Sequence, residues 1–185
     1  MYPTDTVYGL GCDPFNMDAV KRVIQVKGRS EKPLPILCSD QTSVERVAEL
    51  SERERSIGNR FWPGPLTLVL RKTAELPSAV TFSLPTVGVR IPDNDVALQL
   101  IRLCGGVLVG TSANRTGQPP PLTAKMSLDQ LDGDVDLILD GGTVKLGLPS
   151  TILDLTGEKP RVLRKGSLDV DSVVHSVLRN SEAYP

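Results

Sequence analysis

The residues best able to do chemistry in this chain are cations and hydroxyls, not nucleophiles. Lys27, Arg29, Arg90 and Arg164 stand beside short polar runs: Thr4-Asp5-Thr6 near the start and Thr111-Ser112-Ala113-Asn114 further on. Arginine is the side chain best suited to bidentate recognition of a phosphate or carboxylate. If these four converge, they make a site that positions anionic reactants and stabilises developing negative charge. Lys27 and Arg29 are two residues apart, and an extended backbone would turn both to one side. A strand, a turn and a solvated charge run would account for the same spacing. The chain's single histidine, His175, stands apart in the C-terminal segment, which removes the usual Ser-His and Cys-His schemes. An ATP or phosphate enzyme is the reading these residues favour.

Other devices are missing. There is no GxxxxGK[ST] loop, and the GxG begun by Gly9 and Gly11 has Pro14 where a third glycine would stand. Lys125–Asp129 (KMSLD) matches only part of a synthetase KMSKS signature and lacks its histidine-bearing partner motif. The three cysteines, Cys12, Cys38 and Cys104, form no CxxC, so a structural zinc is not expected, and no residue is assigned as a metal ligand. Buried thiols in a reducing compartment fit this pattern. Net charge is -1, so bulk electrostatics do not advertise nucleic-acid binding, and the few aromatics argue against a stacking platform for single strands. No apolar run reaches the ~18 residues of a membrane span, and no signal peptide is legible, so the expectation is a cytoplasmic protein.

The elements that must carry these residues are legible from periodicity. Asn16 should cap a helix to about Val26, with Ala19, Val20, Val23 and Ile24 as its apolar stripe. Leu34–Cys38 reads as a short strand, at an edge or with an irregular start because of Pro35. Thr42 or Ser43 should open a second helix, and Ser51 a third that runs to Arg60 before Phe61–Pro65 ends it. Strands are expected at Leu66–Leu70, Thr86–Ile91 and Val107–Val109, the last delivering Thr111–Asn114 into a loop. Between them a helix capped by Asp93 or Asp95 should turn Val96, Leu98, Leu100, Ile101 and Leu103 inward. A helix at Ala124–Leu131, a strand at Val135–Leu139 and a turn at Asp140–Gly142 follow. Strands at Ser150–Leu155 and Arg161–Leu163 and a helix over Asp169–Leu178 close the chain. Alternating strands and helices with several short connections predict an α/β domain spanning 1–185, its sheet mixed and flanked by helices.

Eight blocks, in order, resemble one family. They are Pro3–Leu10 (PTDTVYGL), Lys27–Leu34 (KGRSEKPL), Trp62–Thr67 (WPGPLT), Val89–Pro92 (VRIP), Thr111–Asn114 (TSAN), Asp140–Gly142 (DGG), Pro149–Ile152 (PSTI) and Leu163–Gly166 (LRKG). Together they resemble the YrdC-like family, the threonylcarbamoyl-AMP synthases. The resemblance implies a twisted mixed α/β fold with an open basic cleft. It implies the reaction of L-threonine, bicarbonate and ATP to threonylcarbamoyl-adenylate, pyrophosphate and water, with Mg²⁺ offsetting phosphate charge. The product would feed tRNA-modifying threonylcarbamoyl transferase machinery. Lys27 and Arg29 would be the family's K-x-R, and Ser112 and Asn114 its S-x-N, at the catalytic centre. ATP would meet Lys27, Arg29, Thr86, Ser112, Asn114 and Arg164. Threonine would meet Thr4, Arg90 and Ser150, with Tyr8 lining the cleft.

The chain departs from the family pattern in three places. Pro120 stands where many members carry a serine, and Leu37 where some carry a histidine. The helix and strand that usually precede the first block are missing, which leads to an expectation of uncovered sheet surface. Only about 20 residues follow Gly166, too few for a further domain. Two other readings stay open: the carbamoyl-adenylate-forming domain of hydrogenase maturation proteins, and a YrdC-like module that binds RNA without catalysis.

Overall fold

Alternation with a period of two decides which side of each strand is core. In the computed structural model, which describes residues 1–28, 32–169 and Val173, the long strands are β3 (Leu66–Arg71) and β4 (Thr86–Arg90). Leu66, Leu68 and Leu70 of β3 and Val87 and Val89 of β4 are buried together. Thr67, Val69, Gly88 and Arg90 face the other way, into a cleft. The two strands run antiparallel, with Leu68 opposite Val89 and Val69 opposite Gly88.

Around this pair the main sheet is mixed. Its order is β5 (Val107–Val109), β2 (Ile36–Cys38), β4, β3, β7 (Thr151–Asp154), β8 (Arg161–Arg164). β2 is parallel to β4, and β3 to β7, while the other neighbours are antiparallel. A second, two-stranded sheet pairs β1 (Gly9–Leu10) with β6 (Thr111–Ser112), with Gly9 opposite Ser112. So the expected mixed sheet is present, and Thr111–Ser112 form a strand where a loop was expected. Pro35 leaves β2 free to start at Ile36, but β2 lies inside the sheet, not at its edge.

Local capping accounts for the helices. α1 (Met17–Lys27) begins where the Asn16 side chain accepts from the backbone N–H groups of Asp18 and Ala19, and ends on left-handed Gly28. It therefore runs through Lys27, and the extended arrangement expected for Lys27 and Arg29 does not hold at Lys27; Arg29 lies outside the described residues. α2 (Gln41–Glu45) is capped by Asp40, which accepts from Ser43 N at 2.7 Å, upstream of the expected Thr42 or Ser43. α3 (Glu52–Phe61) is closed by Ser51 N donating to Glu54 at 2.7 Å. A short α4 (Ser78–Thr81) precedes β4.

α5 (Asp95–Leu103) is capped by Asn94, not by either flanking aspartate. Its inner face is Ala97, Leu98 and Ile101. Val96 and Leu103 were expected inside, but they fall on the opposite side of the helical turn, and Leu103 is 81% exposed. α6 (Ala124–Leu131) matches its expected span. Val135–Leu139 is not a strand. It meets the chain's start only through Leu139 N to Met1 O and the Met1 amine to Leu137 O, too few bonds for a ladder. The expected helix at Asp169–Leu178 lies outside the described residues, apart from Asp169 and Val173. No described helix is long and apolar enough to cross a membrane. An apolar groove of about 310 Å³ beside Met1 and Tyr2 is lined by Leu10, Val23, Val26 and Leu108.

Candidate active site

The cleft on the face of the sheet opposite the buried leucines encloses about 460 Å³. Its floor is the sheet: Thr67 and Val69 from β3, Gly88 and Arg90 from β4, Ser150 and Ile152 at β7, and Arg164 at the end of β8. Its wall is Thr4 and Thr6–Gly9, backed by Ser112 and Asn114.

Arg90 is fixed on three sides. Its Nε donates to Gly64 O at 3.0 Å, one terminal nitrogen donates to Thr6 Oγ1 at 2.8 Å, and the other donates to Asp5 Oδ1. The two side chains of the ion pair are only 7% and 1% exposed. Burial pulls the Arg90 guanidinium below its ordinary pKa, and the Asp5 charge opposes that pull. The other Asp5 oxygen, Oδ2, is buried and has no hydrogen-bond partner among the described residues. Thr6 in turn bonds Thr4 at 3.0 Å, and Thr4 donates to Val7 O at 2.6 Å. The Thr4–Val7 turn is thus locked to β4 through Arg90. A bidentate approach by an anion must share a guanidinium that already holds three acceptors.

The second cation is held differently. Lys27, the last residue of α1, is 2% exposed, and its ammonium donates to Ser112 O at 2.5 Å, Asn114 O at 2.5 Å and Asn114 Oδ1 at 2.9 Å. The negative end of the α1 dipole favours a cation there. Ser112 Oγ donates to Asn114 Oδ1 at 2.5 Å, and Asn114 Nδ2 to Gln118 O at 2.5 Å. Lys27 therefore stiffens the Thr111–Asn114 segment from behind the cleft wall.

The third group joins β7 and β8 to β3 at the floor. Ser150 Oγ bonds Thr67 Oγ1 at 2.8 Å and accepts from Arg164 at 3.0 Å, while Arg164 Nε donates to Ser150 O at 3.0 Å. The strap after β8 presses against this corner: a Cβ on Gly166 would lie 2.3 Å from Pro149 O, so no other residue fits. Tyr8 contributes a buried ring. Its hydroxyl donates to Gly142 O at 2.8 Å and accepts from Gly141 N at 3.0 Å, pinning the Asp140–Gly142 turn; burial raises its pKa.

Of the residues expected at the site, Thr4, Tyr8, Arg90, Ser112, Asn114, Ser150 and Arg164 line the cleft. Lys27 stands behind the wall, and Thr86 lies at the far end of β4, beyond the lining. Thr6, Thr67, Asp5 and Gly88 were missed. The first three sit within the quoted blocks, whose letters alone do not say which member faces inward. Pro120 and Leu37 both line the cleft, so two of the departures fall on it. Among the described residues none lining the cleft is a carboxylate, and these donors suit a phosphate-bearing ligand that brings its own counter-ion.

Fold and cleft together describe an α/β domain whose cleft gathers cations and hydroxyls, with no nucleophilic dyad among the described residues. The Sua5/YciO/YrdC family model, described as telomere recombination, matches residues 1–166; the chain belongs to that family. It is 40% identical over 174 residues to a threonylcarbamoyl-AMP synthase of Pyrococcus abyssi, covering 93% of this chain and 51% of that protein. A threonylcarbamoyl-AMP synthase of Nitrosococcus oceani is 37% identical, with 86% and 88% covered. The structure of P. abyssi Sua5 complexed with L-threonine superposes with a TM-score of 0.91 at 40% identity, covering 95% of this chain and 52% of that one. The chain thus spans about half the length of the P. abyssi relative.

Proposed function

We propose that this chain is a threonylcarbamoyl-AMP synthase domain, residues 1–185 forming one unit that makes threonylcarbamoyl-adenylate. Threonine's amine attacks the carbonate carbon of bicarbonate, and water leaves to give a carbamate. A carbamate oxygen then attacks the α-phosphorus of ATP, and pyrophosphate departs. No step needs a protein nucleophile, which agrees with a cleft of cations, hydroxyls and amides. The observation that carries the reading is the pairing of two polar ends in one cleft. Arg90, Thr4 and Ser150 lie at one, and Ser112 and Asn114, backed by Lys27, at the other. The chain also superposes on a relative whose structure contains L-threonine.

In this reading Arg90, Thr4 and Ser150 receive threonine's carboxylate and hydroxyl, with Tyr8 holding the adjacent turn. Ser112, Asn114, Arg164, Thr86, Lys27 and Arg29 serve ATP. Mg²⁺ would travel with the triphosphate, held by phosphate oxygens and water and offsetting their charge. The product would pass to a tRNA-modifying transferase in the cytoplasm, and RNA contact is part of that hand-over. Pyrophosphate release from ATP should require both L-threonine and bicarbonate. Equal release with threonine omitted would overturn the assignment.

A further inference from the structure

The backbone gives Gly88 no reason to be a glycine. It sits in the middle of β4, where glycine weakens a strand and marks either a bulge or the close approach of another group. The β3–β4 register runs through it without a bulge. Its φ is outside the left-handed region, so the backbone does not demand it. Packing leaves little room but does not close the position: a Cβ there would meet Thr67 Cγ2 at 3.3 Å, so that side chain must give by a few tenths of an ångström, and would meet Pro35 Cβ at 3.7 Å, an ordinary contact. Gly110, also in the cleft, differs: a Cβ there would strike Leu37 at 2.3 Å, so core packing explains that glycine.

What distinguishes Gly88 is where it lies. Side chains two apart on a strand share a face and are separated by roughly 7 Å. Thr86, Gly88 and Arg90 therefore form one row on the cleft face, with Val87 and Val89 turned to the core at 1% and 0% exposure. Gly88 is the gap in that row. Under the reading above, on which this inference rests, Arg90 serves the threonine, and Ser112 and Asn114 the nucleotide. Gly88 lies on the floor between Arg90, two residues on along β4, and Pro35, whose carbonyl accepts from Gly110 N at the head of the Thr111–Asn114 segment, so the carbamate oxygen and the α-phosphorus would meet over it. We propose that Gly88 is a positioning residue by absence: its missing side chain lets the two ligands close on each other against the sheet, and any side chain there wedges them apart.

The test separates single-ligand binding from reaction. Gly88→Ala and Gly88→Val are compared with the wild type for binding of L-threonine alone and ATP alone by calorimetry, and for kcat of threonine-dependent pyrophosphate release. Each single affinity should stay within about threefold. Turnover should fall about 10-fold for alanine and ~10²-fold or more for valine, the scale of a misplacement near 1 Å. A melting curve for each variant shows that it is folded at the assay temperature, so a loss of turnover cannot be charged to unfolding. Unchanged turnover in both variants would overturn the proposal while leaving the functional reading intact. Single-ligand affinities that fall in step with turnover would also overturn it, since Gly88 would then be an ordinary piece of wall. A wild-type chain without threonine-dependent release would sink the functional reading, and this inference with it.

Discussion

The two faces of the central strands divide the work of the molecule. On one face Leu66, Leu68, Leu70, Val87, Val89 and Leu153 are at most 2% exposed and carry no polar atom beyond the backbone. On the other, Thr67, Val69, Gly88, Arg90, Ser150 and Ile152 line a cleft. Each leucine on the first face stabilises the fold by about 1.5–3 kcal/mol. The second face forgoes that gain along strands just as long, and spends its positions on hydroxyls, a guanidinium and a gap. Strand periodicity makes such a division possible, because neighbouring residues point apart and can be selected for different tasks. Arg90 crosses the line: it belongs to the cleft face by register but is as buried as the core, with Asp5 behind it.

That exception yields the largest expected effect. Arg90→Ala should cost about 3–5 kcal/mol of stability, because it strands the Asp5 carboxylate in the interior. It should also weaken threonine far more than ATP. Urea unfolding together with calorimetry for each ligand reads both. A stable variant that still binds threonine would return Arg90 to the ordinary cleft face and break the exception.

Leu68→Ala tests the opposite face. The loss should be about 2–5 kcal/mol with a cavity left behind, while the folded fraction binds threonine as before. If affinity falls as steeply as stability, the two faces are not separable and the comparison fails. Lys27→Ala probes the far wall, where a cation lies behind the lining. Turnover should drop by about 10²-fold, near 2.7 kcal/mol, with ATP binding weakened more than threonine binding. The reverse order of losses would assign the Thr111–Asn114 segment to the amino acid end of the cleft.

Most of the regular structure was legible because its causes are local. Asn16 before an amphipathic run, Ser51 at the head of α3 and the Phe61–Pro65 stop each act within a few residues of themselves. Apart from the caps of α2 and α5, misplaced by one to three residues, the errors came where locality ends. Val135–Leu139 has the apolar content of a strand, but a strand needs a partner with a free edge, and among the described residues its backbone bonds to the chain's start reach only Met1. Val96 and Leu103 are apolar, yet which side of α5 is inner depends on the sheet beneath it. The order of the eight blocks pointed to the family and gathered most of the site residues into one list.

By itself, then, the sequence determined the type of most elements, the mixed sheet and the stock of cations and hydroxyls. Only the tertiary structure decided how those groups are held. Asp5 meets Arg90 across 85 positions, Lys27 meets Asn114 across 87, and Thr67 meets Ser150 across 83. Contacts of that span leave no periodic trace in the chain. They form only when the sheet closes and the burial of its leucine face makes it favourable to bring a buried carboxylate up to a buried guanidinium.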